Sequence, residues 1–293
     1  LFFSGMINEV IKKFKVYSDC GIYKDNFHEK KLKFELSSNS KKFEYKKVYK
    51  AKENFQVPKE LEKYAFSTIY IAYSGGDDLL VIGPYDDIIE FSKEFRLKFK
   101  QWTGCNKHIT ISAGIALFNS KFPIGKSARI ADDYLELSKS CGRDKITLFN
   151  QTMGWEDNGR ILGFNKLFDF SKDLEILTEK DILSHGFVYS LLKIWENNGF
   201  EVKNKNKKLE MRFIDNKDDW LKINTRKAQS NFFIRKYYYK LRLVTNNQID
   251  DELVKHLSLI ENKNGLREEL ANKYNFIPWI KMPVSWVSLR LRN

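Results

Sequence analysis

Two adjacent carboxylates, Asp77 and Asp78, close the run Ser74-Gly75-Gly76-Asp77-Asp78. Residues of these types at this spacing suit phosphoryl transfer. That reaction asks a protein mainly to hold a nucleophile and a triphosphate in line and to neutralise charge, which two divalent ions about 3.5–4 Å apart accomplish. Magnesium and manganese favour carboxylate, phosphate and water oxygens, so Asp77 and Asp78 are the candidate catalytic and metal-holding residues. Gly75 and Gly76 carry no Cβ, so the chain there can take positive φ and let a phosphate approach the backbone. With Ser74 they are candidate nucleotide-binding residues. The four residues Gly-Gly-Asp-Asp read equally as a plain hairpin turn, since Gly and Asp both favour turns. Context separates the readings: strand-like runs flank the turn at 68–73 and 79–83, and two like charges side by side are a cost that an idle turn has no reason to carry.

A second constellation lies at 131–145, Ala-Asp-Asp-Tyr-Leu-Glu-Leu-Ser-Lys-Ser-Cys-Gly-Arg-Asp-Lys. Lys139 falls near the end of a helical pattern and Arg143 follows the glycine that stops it. By themselves the two cations read as complements to the negative end of the helix dipole. Beside the hairpin they become candidates for holding a triphosphate, for which Arg and Lys are the usual side chains.

The elements that must position these residues follow from periodicity. Residues 1–17 predict an amphipathic helix with Phe3, Ile7, Val10 or Ile11, and Phe14 on one side. After the hairpin, Asp86 or Asp87 is expected to cap a helix running to about Gln101, with Ile88, Phe91, Phe95 and Phe99 inward and Gly104 as the stop. Residues 108–118 alternate as a strand. Ser127 is expected to cap a helix carrying Ile130, Tyr134, Leu137 and Cys141, ended by Gly142, and Asp144–Phe149 reads as a further strand. The order α–β–β–α–β–α–β matches the β–α–β–β–α–β of a ferredoxin-like palm if one strand precedes Leu1. The predicted fold is therefore α+β: residues 1–150 form a ferredoxin-like palm lacking its first strand. A charged insertion of little periodicity occupies 24–66. Residues 151–293 are expected to form a mainly α-helical C-terminal domain, with a helix over Asp181–Asn197 and a short aromatic and basic helix opened by Pro283.

The formal net charge is +13, and it is localised. Residues 24–63 hold 12 Lys/Arg and 7 Asp/Glu, and residues 201–242 hold 13 and 5, so the remainder is neutral. Either a polyanionic partner or a general lysine richness accounts for 24–63, while the excess over 201–242 leans toward a partner. Within it, residues 223–244 interleave Arg226, Lys227, Arg235, Lys236, Lys240 and Arg242 with Phe232, Phe233, Tyr237, Tyr238 and Tyr239. That mixture fits RNA backbone and stacked bases, and fits equally an amphipathic helix with an aromatic core side. Cys20, Cys105 and Cys141 have no C-x-x-C spacing, which points to free thiols and a cytoplasmic location. His28, His108, His185 and His256 have no Asp neighbours, so no His-Asp nuclease motif is present. No apolar run approaches the roughly 20 residues that span a bilayer, and the start does not read as a signal peptide.

Three runs carry a family resemblance. Tyr73-Ser74-Gly75-Gly76-Asp77-Asp78-Leu79, Ile111-Ser112-Ala113-Gly114-Ile115-Ala116 and Gly142-Arg143-Asp144-Lys145-Ile146-Thr147-Leu148-Phe149 resemble the second palm domain of the large polymerase-like subunit of type III CRISPR effector complexes, Csm branch. Leu1-Phe2-Phe3-Ser4-Gly5 resembles the helix before the hairpin there. Leu183-Ser184-His185-Gly186-Phe187 resembles that family's C-terminal domain more weakly. The diguanylate cyclases of the GGDEF class are more distant: the Ala131-Asp132…Lys139…Gly142-Arg143 run is similar to their phosphate-binding segment. Their motif, however, ends in Glu-Phe, and their product-inhibition site would fall on Ser67 and Tyr70.

The resemblance implies synthesis of cyclic oligoadenylates from ATP, switched on by target RNA. Asp77 and Asp78 would hold magnesium or manganese, Ser74, Gly75 and Gly76 would shape the phosphate pocket, and Lys139 and Arg143 would bind phosphate. It implies as partners the other subunits of the effector complex, guide RNA, target RNA and an N-terminal part of the same protein, with no membrane. Residues 1–293 alone are expected to be inactive. Another cyclase or dinucleotide synthase of the palm class, and a non-catalytic scaffold, are the competing expectations.

Overall fold

The computed structural model describes residues 2–35, 43–52, 54–157, 163–181, 183–197, 203–205, 208–210 and 281–292. Residue contacts divide the chain into two compact units, Leu1–Ile109 and Thr110–Asn293, so the first boundary falls inside the stretch 1–150 that the sequence reads as one palm.

In the first unit α1 spans Phe2–Lys12, shorter than the helix expected over 1–17, because Lys15–Tyr17 pair into a sheet instead; Ile7 and Val10 of the helix and Phe14 just beyond it are buried. The next stretch departs from expectation. Residues 24–66, read as a charged insertion of little periodicity, are largely β structure. Strands β1 (Lys15–Tyr17), β2 (Phe27–Glu35), β3 (Phe43–Ala51) and β4 (Ala65–Ser67) form one antiparallel sheet in the order β2-β3-β1-β4. The long β2–β3 ribbon pairs from Phe27↔Ala51 to Glu35↔Phe43.

The physical reason is period-two patterning beneath the lysines. Val48 is buried on one side of β3, while Tyr49 and Ala51 pack on the other side against a separate core of Tyr17, Cys20, Phe27 and Leu61. Lys46 and Lys47, earlier in the strand, stay exposed. Phe55, Val57 and Tyr64, from the turns that follow, close this second core. Lys30 of β2 reaches across to Asp87, with Nζ 2.6 Å from Oδ1.

Strands β5 (Tyr70–Gly75) and β6 (Asp78–Ile82) form the expected hairpin as a two-stranded sheet. Helix α2 (Tyr85–Trp102) follows, burying Ile89, Phe91, Phe95 and Phe99. Phe91 stacks on Phe95 at 5.3 Å and meets Phe14 edge-on at 6.0 Å. The helix does not begin on a capping aspartate: Pro84 is the N-cap, and Asp86 and Asp87 lie in the first turn. Proline's fixed φ suits a helix start, and acids in the first turn act on the dipole instead of capping an amide.

In the second unit the strand expected over 108–118 shrinks to β7 (Ala113–Ile115). Upstream, the Ile111 carbonyl accepts a hydrogen bond from the Trp155 indole (2.8 Å), so that part of the backbone serves a side chain. Strand β7 pairs in parallel with β8 (Lys145–Leu148), the connection being α3 (Ile124–Ser140). Helix α3 starts after Pro123, earlier than the cap expected at Ser127, whose hydroxyl donates back to the Pro123 carbonyl (3.2 Å). Strand β9 (Gln151–Gly154), not expected from the sequence, pairs antiparallel with β8 through Phe149 and Asn150. Both have positive φ (54° and 57°), as a type I′ turn requires. The hairpin β5–β6 and the set β7-β8-β9 are hydrogen-bonded as separate sheets.

Helices α4 (Phe164–Glu179), α5 (His185–Asn197) and α6 (Lys281–Arg290) follow, with two three-residue strands, β10 (Lys203–Lys205) and β11 (Lys208–Glu210), between α5 and α6. Helix α6 packs on both α4 and α5 and is apolar on most sides: Met282, Val284, Trp286 and Val287 are all buried. Lys172 lies over the Trp286 ring at 5.2 Å and Arg290 at 5.0 Å. The basic and aromatic segment 223–244 lies outside the described residues, so its two readings stand as they were.

Candidate active site

The hairpin tip has a two-residue loop, Gly76-Asp77, between the paired residues Gly75 and Asp78. Gly76 has φ +61°, whereas Asp77 is not among the positive-φ residues. Positive φ confined to the first loop position is the pattern of a type II′ turn, whose twist matches that of the flanking strands. The turn takes positive φ as expected, and it does so at one of the two glycines. Gly76 takes that role, and Gly75 serves close approach: a Cβ there would sit 2.9 Å from the Tyr73 hydroxyl oxygen.

Ser74, Gly76, Asp77 and Asp78 are exposed and Gly75 partly so. The tip is a tight turn holding two adjacent carboxylates in solvent, anchored by partly buried residues 79–82. Register in β5 slips by one residue between Ile71 and Tyr73, leaving Ala72 as a bulge. Such a bulge re-aims the residues beyond it, here the segment leading to the tip.

The donor set fits a divalent cation in one specific way. Among the described residues no group of three or more His, Cys, Asp or Glu could hold a metal ion. Magnesium is commonly bound by one or two carboxylates and completed by substrate phosphates and water. Two exposed, neighbouring aspartates meet that requirement.

Lys139 and Arg143 lie in the second unit, at the end of α3. Lys139 pairs with Glu136 at 2.8 Å, one helical turn back. The helix closes with a Schellman motif: the Arg143 amide donates to the Ser138 carbonyl and the Gly142 amide to the Lys139 carbonyl, both at 3.2 Å. Gly142 has φ +108°, and Arg143 (59°) and Asp144 (48°) continue at positive φ. The glycine stop is therefore as expected, and it leaves the Arg143 side chain exposed.

What sets α3 in place was not evident from the sequence. Gly114 of β7 lies directly against the α3 backbone at Ala131 and Leu135. At the far end Ser138 Oγ donates to the Ala113 carbonyl (2.7 Å) and is 2.7 Å from Thr147 Oγ1, itself 2.7 Å from Thr152 Oγ1. A hydroxyl has one proton, so the chain runs Thr152 to Thr147 to Ser138 to the carbonyl. Tyr134 donates to the Asn150 side chain, and burial pushes its phenol pKa up. The one sequence signal for this packing was a glycine in the middle of an apolar alternating run, a mark of close backbone approach.

A hairpin with paired acids at its tip and α1 packed against β5 has the arrangement of a palm-type domain. Residues 5–147 match the family described as Cas10/Cmr2, second palm domain.

Relatives named CRISPR system single-strand-specific deoxyribonuclease Cas10/Csm1 (subtype III-A) agree. The Mycobacterium tuberculosis protein is 42% identical over 90 residues, covering 30% of this chain and 11% of the relative. The Methanocaldococcus jannaschii protein is 35% identical over 108 residues (32% and 14%), and the Streptococcus thermophilus protein 34% over 134 residues (45% and 17%). The matched stretches thus span less than a fifth of those relatives' lengths. A solved Csm1-Csm4 cassette in complex with one ATP aligns with 76% of this chain and 26% of its own, at 18% identity and a TM-score of 0.43. The same cassette in complex with cA3 gives a TM-score of 0.42.

Proposed function

We infer that this chain supplies the Gly-Gly-Asp-Asp site of a nucleotidyltransferase that joins ATP into cyclic oligoadenylates within a type III CRISPR effector complex when target RNA is bound. The observation that carries the reading is the hairpin tip: two adjacent, exposed carboxylates on a type II′ turn, in a stretch that matches the Cas10/Cmr2 second-palm family. Magnesium or manganese would supply charge neutralisation at the attacking and leaving oxygens. Asp77 and Asp78 orient that charge, and Ser74, Gly75 and Gly76 present a backbone open to phosphate. Lys139 and Arg143, in the second unit, are candidates for phosphate binding on the strength of the family resemblance alone. The partners are the other subunits of the complex, guide and target RNA, and a further part of the same protein, in the cytoplasm. The deoxyribonuclease activity in the relatives' name is not part of this reading, because the sequence pairs no His with Asp.

The test uses the assembled complex with ATP, magnesium or manganese, and target RNA, with products read by mass spectrometry. Wild type is expected to yield adenine oligonucleotides, and the double variant Asp77→Ala, Asp78→Ala to lose roughly a hundredfold or more of that synthesis while assembling normally. A guanine product would replace this reading with a dinucleotide cyclase. Unchanged signalling by the double variant would leave a scaffold.

A further inference from the structure

Two tyrosines of β5, Tyr70 and Tyr73, are exposed, at 67% and 55%. A large aromatic ring in a strand is ordinarily there to be buried. The ring of Tyr73 does not extend into solvent at random. It runs along the strand toward the tip, so that the hydroxyl oxygen lies 2.9 Å, and the ring carbon bearing it 3.2 Å, from where a Cβ of Gly75 would be. Residues two apart in a strand share a face, and the register pairs Tyr73 with Leu80 and Gly75 with Asp78. The phenol therefore occupies the place of a Gly75 side chain, on the same face as Asp78 and across the ladder from it. Gly75 is the residue that makes room for this.

We propose that Tyr73 is a substrate-contacting residue, whose hydroxyl donates a hydrogen bond to a phosphate oxygen of the nucleotide gathered at Asp77 and Asp78. The proposal rests on the functional reading above. The placement selects phosphate over base or sugar: the hydroxyl is delivered to the tip, where divalent cations held by the carboxylates would draw the charged end of the ligand, and a phosphate oxygen can only accept. A bland alternative exists, since an aromatic ring covering a strand glycine supports the sheet by packing alone. Phenylalanine would serve that purpose equally well, and the two accounts therefore separate on one atom.

The experiment compares wild type, Tyr73→Phe, Gly75→Ala, the double variant Tyr73→Phe/Gly75→Ala, and Asp77→Ala in the assembled complex, with ATP and manganese as the probe. Thermal unfolding of each complex is followed alongside. Loss of a hydrogen bond to a charged phosphate predicts that Tyr73→Phe raises KM for ATP about tenfold or more, with kcat within about twofold and an unchanged unfolding midpoint. Gly75→Ala, which displaces the phenol, is expected to raise KM similarly, and adding Tyr73→Phe to it to have little further effect. A KM for Tyr73→Phe within about twofold of wild type, with Asp77→Ala inactive, would overturn the role of Tyr73 and leave the hairpin reading standing. A fall in kcat at constant KM would also overturn it. Full synthesis by Asp77→Ala would instead overturn the hairpin reading itself.

Discussion

Gly114 in β7 lies so close to α3 that a Cβ there would sit 2.4 Å from the carbonyl oxygen of Ala131. The same Cβ would be 2.4 Å from the Leu135 nitrogen. Both are backbone atoms of a helix, which cannot swing aside as a side chain can. Gly114→Ala is therefore expected to force α3 away from the sheet and to destabilise the second unit by about 1–3 kcal/mol, the range for overpacking a core. Chemical denaturation of the variant checks this, and an unchanged midpoint would contradict the close packing.

The hydroxyl chain at the other end of α3 makes a sharper stability prediction. Thr147→Val keeps the shape but removes the donor to Ser138 and the acceptor for Thr152, all three being buried. Stranding a buried polar group costs about 1–3 kcal/mol. Thr147→Ser retains the hydroxyl and is expected to lose less. Comparing the two by denaturant unfolding isolates the hydrogen bonds from the methyl group.

Asp87 is nearly buried and its partner Lys30 is not, with side-chain exposures of 6% and 32%. Removing one member of such a pair leaves the other to bear its desolvation. Lys30→Met is expected to be the more damaging change, costing about 1–3 kcal/mol, because it leaves a buried carboxylate without its ammonium. Asp87→Asn, which removes the buried charge, is expected to cost less. Equal losses would show that the contact acts as an ordinary surface ion pair.

The three thiols differ in access. Cys20 is fully buried and Cys105 exposed. Burial pushes the Cys20 pKa up, with Asp19 as the next contributor, so this thiol keeps its proton at a pH where an ordinary one begins to ionise. Since the thiolate is the nucleophile, alkylation at pH 8 is expected to label Cys105 first, then the partly buried Cys141. Cys20 should react only on unfolding, at a rate at least about tenfold slower. Mass spectrometry over time reads the order, and early labelling of Cys20 would contradict its place in the second core.

Much of the candidate site could be read directly from the residues. The Gly76-Asp77 loop, the apolar stripe of α2 and the Gly142 stop of α3 are local signals, each legible within a few residues because turn chemistry and helix periodicity act at short range. The ribbon β2–β3 was not legible. Its strands are lysine-rich, and what stabilises them is pairing with Tyr17 and neighbours before the ribbon and packing against Leu61 and Phe55 after it. The helix starts at Tyr85 and Ile124 were misplaced because a proline outranked the nearby Asp and Ser as a boundary.

Residue types and spacing were thus enough to mark the Gly76-Asp77 turn and the two exposed carboxylates at its edge as the candidate site. They could not say that Gly75 makes room for Tyr73, that Gly114 admits α3, or that Thr152, Thr147 and Ser138 relay one hydrogen-bond chain. The first kind of information lies in the conformational preferences of neighbouring residues. The second lies in excluded volume and in the pairing of buried polar groups, which take effect only once separate elements have come into contact.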